Sequence, residues 1–215
     1  MQLYAKYRPR RLAQVIGQDK ALEVLSRLRA AGGLAGRVYW ISGRTGTGKT
    51  TIAQCIAREL ADEFGIEETD AQGLMPSDVD AMEKGWHFYG WGKGGRVFII
   101  NEAHGLRADT IRKLLTALER IPAHVCVIFT TTFEGEERLF DGQIDAHPLL
   151  SRCDVLALNT QGLAGVFSRL AQGIARREGL NGRPIADYLK LARSAKNNLR
   201  EMLQRVGQGE MRAER

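Results

Sequence analysis

The residues best suited to chemistry stand in one short stretch, Gly43–Thr50, which reads G-R-T-G-T-G-K-T. It matches the phosphate-binding pattern G-x-x-x-x-G-K-[ST], which requires a strand before it and a helix after it. The glycines let the backbone turn tightly, so that its amides and the positive end of the next helix point at phosphates. Lys49 is expected to contact the β- and γ-phosphates of ATP, and Thr50 to bind Mg²⁺. The predicted phosphate-site residues are Gly43, Arg44, Thr45, Gly46, Thr47, Gly48, Lys49, Thr50 and Thr51.

A second candidate site is the polar end of the apolar run Val97–Ile100, where Asn101 and Glu102 follow. Glu102 is placed to act as the general base that activates water. Many phosphate-loop enzymes have an Asp at the position of Asn101, where it helps to bind Mg²⁺. Asn keeps an acceptor oxygen but carries no charge, so we expect weaker Mg²⁺ binding and slower or impaired hydrolysis. A helix N-cap is the structural alternative for Glu102.

The elements that must position these residues alternate between strand and helix patterns. Short apolar runs at Val38–Ile41, Val97–Ile100 and Val125–Phe129 predict buried strands. Helical stripes follow the first strand, through Ile52 and Ile56, and precede the third, through Ile111 and Leu114. This alternation predicts an α/β fold with a parallel sheet.

From about residue 162 onward only helical stripes occur. We therefore predict two domains, a nucleotide-binding α/β domain over residues 1–161 and a small all-helical lid over residues 162–215. The net charge of +6 lies in the last third: from Ser151 to Arg215 there are 12 Lys and Arg against 6 Asp and Glu. Such an excess suits a polyanion such as DNA, although a solvated Arg-rich helix surface would also produce it.

Several broad classes are excluded or made less probable by composition. No apolar run reaches the roughly 18 residues that span a bilayer. The first eleven residues contain no apolar signal-peptide core, which predicts a cytoplasmic protein. Cys55, Cys126 and Cys153 are too widely spaced to indicate a zinc site or a disulfide framework.

Further motifs resemble the AAA+ ATPase subunits of DNA-polymerase clamp loaders, as in bacterial gamma/tau and the small subunits of replication factor C. They occur in the family order over nearly the whole chain. They are the opening K-Y-R-P at Lys6–Pro9 and V-I-G-Q at Val15–Gln18, N-E-A-H at Asn101–His104, L-E with P-A-H within Leu114–His124, T-T-T at Thr130–Thr132, S-R-C at Ser151–Cys153, and N-L-R at Asn198–Arg200. The resemblance implies a P-loop AAA+ core with a five-stranded parallel sheet and a helical lid.

The resemblance also implies roles for single residues. Thr131 would be the sensor-1 residue that orients water or the γ-phosphate. Arg152 would be an arginine finger that acts in trans on a neighbouring AAA+ subunit, and Arg200 would be the sensor-2 arginine of the lid. Surface arginines are the alternative for both. The residues expected to flank the adenine are Tyr7, Arg8, Pro9, Val15 and Ile16.

The sequence departs from the family at four places. Asn101 replaces the expected Asp, and the zinc-binding cysteines of gamma/tau are absent from Ala57–Thr69. A longer charged segment, Phe133–Leu150, precedes S-R-C. The helical collar that holds clamp loaders together would follow the lid, but the sequence extends only 15 residues beyond Arg200. We therefore expect assembly through the ATPase interfaces, a partner or DNA.

The segment Trp86–Trp91, W-H-F-Y-G-W, has no counterpart in the family resemblance. Aromatic residues beside Lys93 and Arg96 would suit stacking on single-stranded nucleic acid or a protein contact. Packing between the sheet and the preceding helix is the alternative that we favour, because exposed aromatic residues are costly.

The sequence as a whole predicts an Mg-ATP-dependent AAA+ ATPase that oligomerises and remodels DNA and a protein partner, such as a sliding clamp. Two alternatives stay open. One is an ATP-binding assembly subunit with impaired hydrolysis. The other is an ATP-dependent DNA-binding regulator of a mobile element or phage.

Overall fold

A five-stranded parallel sheet forms the centre of the computed structural model, which describes residues 1–132, 147–159 and 161–213. The order of strands across the sheet is β2-β3-β4-β1-β5, and all pairs are parallel. The α/β class predicted from the sequence is confirmed. The strands are β1 (Arg37–Ser42), β2 (Ile66–Asp70), β3 (Arg96–Asn101), β4 (Val125–Thr131) and β5 (Asp154–Ala157).

Helices cover both faces of this sheet, as a parallel sheet with helical crossovers requires. On one face α2 and α3 pack over Ile41, Ile99 and Ile128. On the other, α4 and α5 pack over Trp40 and Phe129. The α-helices in the described ranges are α1 (Leu3–Lys6), α2 (Asp19–Ala30), α3 (Lys49–Leu60), α4 (Pro76–Gly85), α5 (Ala108–Leu118), α6 (His147–Leu150), α7 (Leu163–Arg177), α8 (Ile185–Ser194) and α9 (Leu199–Gly207).

The helical lid, defined here as α7, α8 and α9, has a hydrophobic core of its own. Phe167, Tyr188 and Met202 lie at its centre, each at most 2% exposed. Leu3 of α1 packs into the same core, so this first helix is joined to the lid. The domain boundary at residue 162 stays a prediction.

The aromatic segment differs from the expectation that it packs under the sheet. Only Trp86 is buried, at 3% exposure. Phe88, Tyr89 and Trp91 are 67%, 73% and 86% exposed, because they lie in the loop between α4 and β3 rather than on either element. Packing therefore accounts for one of the aromatic residues and leaves three at the surface.

The cysteines behave as separate apolar residues. Cys55 and Cys126 are buried, and all three thiols are free. Burial raises the pKa of the Cys55 thiol to about 11, which makes this thiol unreactive near neutral pH. Within the described ranges, no three His, Cys, Asp or Glu side chains are grouped as a metal site would require.

Most of the charged segment predicted to lengthen the connection before S-R-C, residues 133–146, lies outside the described residues. Across the part of the chain that is described, no helix is both long and apolar enough to cross a membrane.

Because the sheet face under α3 is buried, replacing an isoleucine there should destabilise the protein much more than replacing an isoleucine at the surface. Ile99→Ala in β3 removes a fully buried side chain and should lower the free energy of unfolding by about 2–5 kcal/mol. Ile185→Ala, at a position 38% exposed, is the matched control and should cost much less. Denaturant unfolding of both variants measures the difference, and equal losses would contradict this assignment of the core.

Candidate nucleotide site

The P-loop, residues 43–50, connects the end of β1 to the start of α3. Three of its glycines have left-handed backbone: φ is 148° at Gly43, 82° at Gly46 and 106° at Gly48. Residues with a side chain rarely adopt these angles, which explains why the loop needs glycine there. Gly48 directly precedes α3, so the positive end of that helix faces the loop.

Lys49 is a buried cation at the first position of α3, with 7% of the residue exposed. Its Nζ donates to the carbonyl oxygens of Gly43, at 2.8 Å, and of Arg44, at 3.2 Å. Burial lowers the pKa of Lys49, while the nearby Glu102 carboxylate raises it and Arg200 lowers it further. The Lys49 ammonium is thus shielded from water and bonded to two carbonyl oxygens of the loop. It also lines the adjacent cleft, where an anion could reach it.

The P-loop opens into a cleft of about 490 Å³ between the sheet domain and the lid. One wall comes from the loop and the start of α3, and the other from apolar side chains of α7 and α9. Such a cleft, apolar on one side and cationic on the other, suits a flat ring joined to phosphates. The predicted site residues that line it are Tyr7, Arg8, Pro9, Val15, Ile16, Thr45, Gly46, Thr47, Gly48, Lys49, Thr50, Thr51, Glu102 and Arg200.

The chain's first residues form the part of the cleft where the sequence places the adenine. Tyr7 donates its hydroxyl hydrogen bond to Glu178 at the end of α7, and this bond raises the pKa of Tyr7. Arg8 Nη1 donates to Gln54 Oε1 at 3.4 Å, and the Pro9 carbonyl accepts from the thiol of Cys55. This segment is therefore attached to both the lid and α3.

The lid touches the P-loop directly. Asn198 caps α9 by accepting from the Glu201 amide, and a Cβ at Gly46 would lie 1.9 Å from Asn198 Oδ1. Gly46 must therefore be glycine for close approach as well as for its backbone angle. Arg200, two residues further on, lines the cleft and has its guanidinium carbon 5.6 Å from the centre of the Tyr4 ring.

Glu102 follows β3 with left-handed backbone angles, φ 52° and ψ 49°. A non-glycine residue in this region is strained, and such strain is concentrated at functional sites. Glu102 Oε2 lies 3.5 Å from His104 Nδ1, and the same nitrogen lies 3.5 Å from Thr131 Oγ1. His104 thus joins the predicted base to the predicted sensor, although Thr131 is itself buried and does not line the cleft.

Asn101, predicted to help bind metal, forms hydrogen bonds through both the oxygen and the nitrogen of its side-chain amide. Oδ1 accepts from Thr130 Oγ1 at 2.8 Å, and Nδ2 donates to Glu68 Oε1 at 2.7 Å. It does not line the cleft itself, and neither do Gly43 and Arg44. Glu68 was not identified from the sequence.

Arg152 lies outside the cleft formed by its own subunit. It follows the short helix α6, where Nη1 donates to the Pro148 carbonyl at 2.8 Å, and it forms an ion pair with Glu119 at the end of α5. Its side chain is 34% exposed. Its partners are thus Pro148 and Glu119, away from the P-loop.

One buried polar residue that was missed as a site residue connects three segments. Gln18 Nε2 donates to the carbonyls of Thr47, at 3.2 Å, and Asn159, at 3.1 Å, while its Oε1 accepts from the Asn159 amide at 2.7 Å. It therefore ties the P-loop to the connection between β5 and the lid. The V-I-G-Q motif, which ends at Gln18, was the sequence signal that could have identified this residue.

These residues fit ATP with Mg²⁺. The buried Lys49 ammonium and the left-handed glycine backbone provide for the phosphates. The Thr50 hydroxyl, beside Lys49 in the first turn of α3, would be the metal ligand. Asn101 is the last residue of β3, and its neighbour Glu68 lies two residues before the end of β2.

Comparison with solved structures supports the same fold. A RuvB variant of Thermotoga maritima superposes with a TM-score of 0.71 at 21% identity, over 94% of this chain and 64% of that one. A second RuvB structure from that organism, described as a Holliday junction branch migration motor, gives a TM-score of 0.67 at 22% identity over the same shares.

Curated relatives include subunits of DNA polymerase III. The DNA polymerase III subunit tau of Escherichia coli is 31% identical over 224 residues, which cover 94% of this chain and 33% of tau. The gamma/tau subunit of Mycobacterium tuberculosis is 33% identical over 158 residues, which cover 61% of this chain and 27% of that protein. The chain thus spans about a third or less of the length of these relatives.

The family model described as "ATPase family associated with various cellular activities (AAA)" matches residues 39–156, which include the P-loop, Asn101, Glu102, Thr131 and Arg152. This match covers more than half of the chain and contains β2, β3 and β4 in full and most of β1 and β5. The chain therefore belongs to the AAA family of ATPases.

Proposed function

We propose that this chain binds and hydrolyses Mg-ATP in the cleft between the sheet and the lid. The observation that carries the proposal is the buried Lys49 ammonium, which faces Glu102 and Arg200 across the P-loop. A desolvated cation is costly to maintain without an anion, and a triphosphate is the anion that this loop geometry suits.

Each residue then has a defined task. Lys49 and the loop amides bind the β- and γ-phosphates, and Thr50 would hold Mg²⁺, which would supply positive charge beside the phosphates. Glu102 accepts the proton of the attacking water. His104, which contacts both Glu102 and Thr131, orients the Glu102 side chain. Arg200 lies on α9 of the lid, so its contact with the nucleotide couples the presence of the γ-phosphate to the position of the lid.

We further propose a clamp-loader-like role, in which several AAA+ subunits assemble and ATP turnover controls contact with DNA and a protein partner. The similarity to polymerase III tau over 94% of the chain supports this role. The position of Arg152, outside its own cleft, supports action on a neighbouring subunit. A sliding clamp is the proposed partner.

A second candidate is an ATP-binding subunit that supports assembly without efficient turnover. Asn101 favours it, because an amide that is already bonded to Thr130 and Glu68 carries no charge for the metal. The two candidates differ in turnover and agree in ATP binding.

Lys49→Ala and Glu102→Gln should separate binding from hydrolysis. Loss of the buried ammonium should weaken ATP binding at least about tenfold, because a charge-assisted bond to phosphate is removed. Glu102→Gln should keep binding and slow turnover by about 100-fold or more. Binding of a fluorescent ATP analogue and steady-state phosphate release, with and without primed DNA, measure the two effects.

Lys190→Ala, at an exposed ion pair in α8, is the control for loss of a lysine. ATP binding without turnover in the wild type would support the assembly subunit. Acceleration of turnover by primed DNA would support the motor. If Lys49→Ala bound ATP as well as the wild type, the proposed site would be wrong.

Arg152→Ala should keep ATP binding and reduce turnover by about 100-fold or more, as expected for loss of an arginine finger. Mixing it with Glu102→Gln should restore activity, because the Glu102→Gln subunit has an inactive site but can donate its Arg152 to the intact site of its neighbour. Arg29→Ala, which breaks an exposed ion pair with Glu59, is the control. A mixture no more active than the sum of its parts would contradict action in trans.

A further inference from the structure

Gln18 is a buried residue, 1% exposed, whose side-chain amide bonds to the backbone of two other segments. Its Nε2 donates to the carbonyls of Thr47, at 3.2 Å, and Asn159, at 3.1 Å, and its Oε1 accepts from the Asn159 amide at 2.7 Å. These partners fix the orientation of the side-chain amide, because only its nitrogen can donate to a carbonyl. An apolar side chain of similar size would leave all three backbone groups without this partner, which is costly in a buried place.

The backbone around Gln18 holds this side chain between the P-loop and the lid. The Gln18 carbonyl accepts from the Leu22 amide at 3.0 Å, so the residue is fixed at the start of α2. The preceding residue, Gly17, has left-handed backbone with φ 76°. A Cβ at Gly17 would lie 2.8 Å from Leu163 Cδ2, at the first residue of α7, so this segment packs closely against the lid.

The bond to Thr47 determines where the next backbone amide points. In a trans peptide the Thr47 carbonyl and the Gly48 N–H share one plane and point in opposite directions. Gln18 lies behind the P-loop and does not line the cleft, whereas Gly48 does. Because the carbonyl is turned toward Gln18, the Gly48 N–H is turned toward the cleft. Gly48 also precedes the first residue of α3, where backbone amides have no partner within the helix.

We propose that Gln18 is a positioning residue that directs the Gly48 amide toward the phosphates of ATP and couples this orientation to the start of the lid. The inference rests on the proposed function, because it concerns the same cleft. Gln18 acts through the Thr47–Gly48 peptide and does not itself contact the nucleotide. Its two bonds to Asn159 make the P-loop respond when the connection between β5 and the lid shifts. This coupling is separate from the one through Arg200, since it uses backbone groups behind the loop.

The first test compares Gln18→Leu with Thr110→Val, a control that removes another buried hydrogen bond. Thr110 in α5 is 0% exposed, and its hydroxyl donates to the Leu74 carbonyl at 3.1 Å on the other side of the sheet. Both substitutions should lower the midpoint of thermal unfolding, because each leaves a buried carbonyl unpaired. Only Gln18→Leu should raise the Kd for a fluorescent ATP analogue, by about tenfold or more, because an amide bond to phosphate is lost.

The effect on turnover should separate positioning from chemistry. In Gln18→Leu the KM for ATP should rise by about the same factor as the Kd, while kcat should change by less than about threefold. The reason is that the Gly48 amide binds the phosphates before as well as during the reaction. Steady-state phosphate release measures both constants.

Hydrogen exchange at the Asn159 amide tests the connection to the lid. Without nucleotide, this amide should exchange at least about tenfold faster in Gln18→Leu than in the wild type, and Thr110→Val should match the wild type. A saturating ATP analogue should slow its exchange in the wild type and leave it unchanged in Gln18→Leu. Residue-level exchange measured by NMR gives these rates. The wild-type comparison with and without nucleotide requires no variant, so it holds even if Gln18→Leu fails to fold.

Failure of this inference is distinct from failure of the proposed function. If Gln18→Leu binds the ATP analogue as tightly as the wild type, or if Thr110→Val loses as much affinity, the positioning role is wrong and the nucleotide site stands. Exchange at Asn159 that does not respond to ATP in the wild type would overturn the coupling to the lid. If the wild type does not bind the analogue at all, both proposals fall.

Discussion

The structure of the site depends on one costly feature, a lysine ammonium held out of water at the start of α3. A charge in this position needs acceptors, and the P-loop provides them through two of its own carbonyls. The loop can turn these groups inward only because three glycines accept left-handed backbone angles. Glu102, directly after β3, and Arg200 of the lid are then arranged around the same charge, and they have opposite effects on the Lys49 pKa.

Much of the sheet follows from apolar patterning, because buried parallel strands are continuous apolar runs. β1, β3 and β4 were predicted in this way, within two residues at each end. β2 was not, since its sequence I-E-E-T-D is polar and lies at an edge of the sheet where four of five residues face solvent. The aromatic segment was misjudged for a related reason: composition does not reveal that Phe88, Tyr89 and Trp91 fall in a loop.

The residues of the candidate site likewise fall into those that the sequence predicted and those that it did not. Residues that are contiguous in sequence, such as the P-loop, could be assigned from a motif because local backbone chemistry determines what they do. Contacts between strands could not, because the bond from Asn101 to Glu68 depends on β2 lying beside β3, which no local pattern specifies. Gln18 shows an intermediate case, in which the motif was visible but its bonds to Thr47 and Asn159 required the fold.

The position of β1 between β4 and β5 has a consequence for synthesis of the protein. Tyr39 pairs with Asp154, a separation of 115 residues (154 − 39), so the strand that leads into the P-loop gains its second neighbour late. Parallel pairings of such long range form slowly, and the chain emerges from the ribosome at about 5–20 residues per second. The P-loop is translated early, yet the lid residue Arg200 that lines the same cleft is among the last described residues to emerge. A nascent chain therefore spends several seconds with β1 lacking its β5 neighbour. It cannot enclose ATP until the lid has left the ribosome.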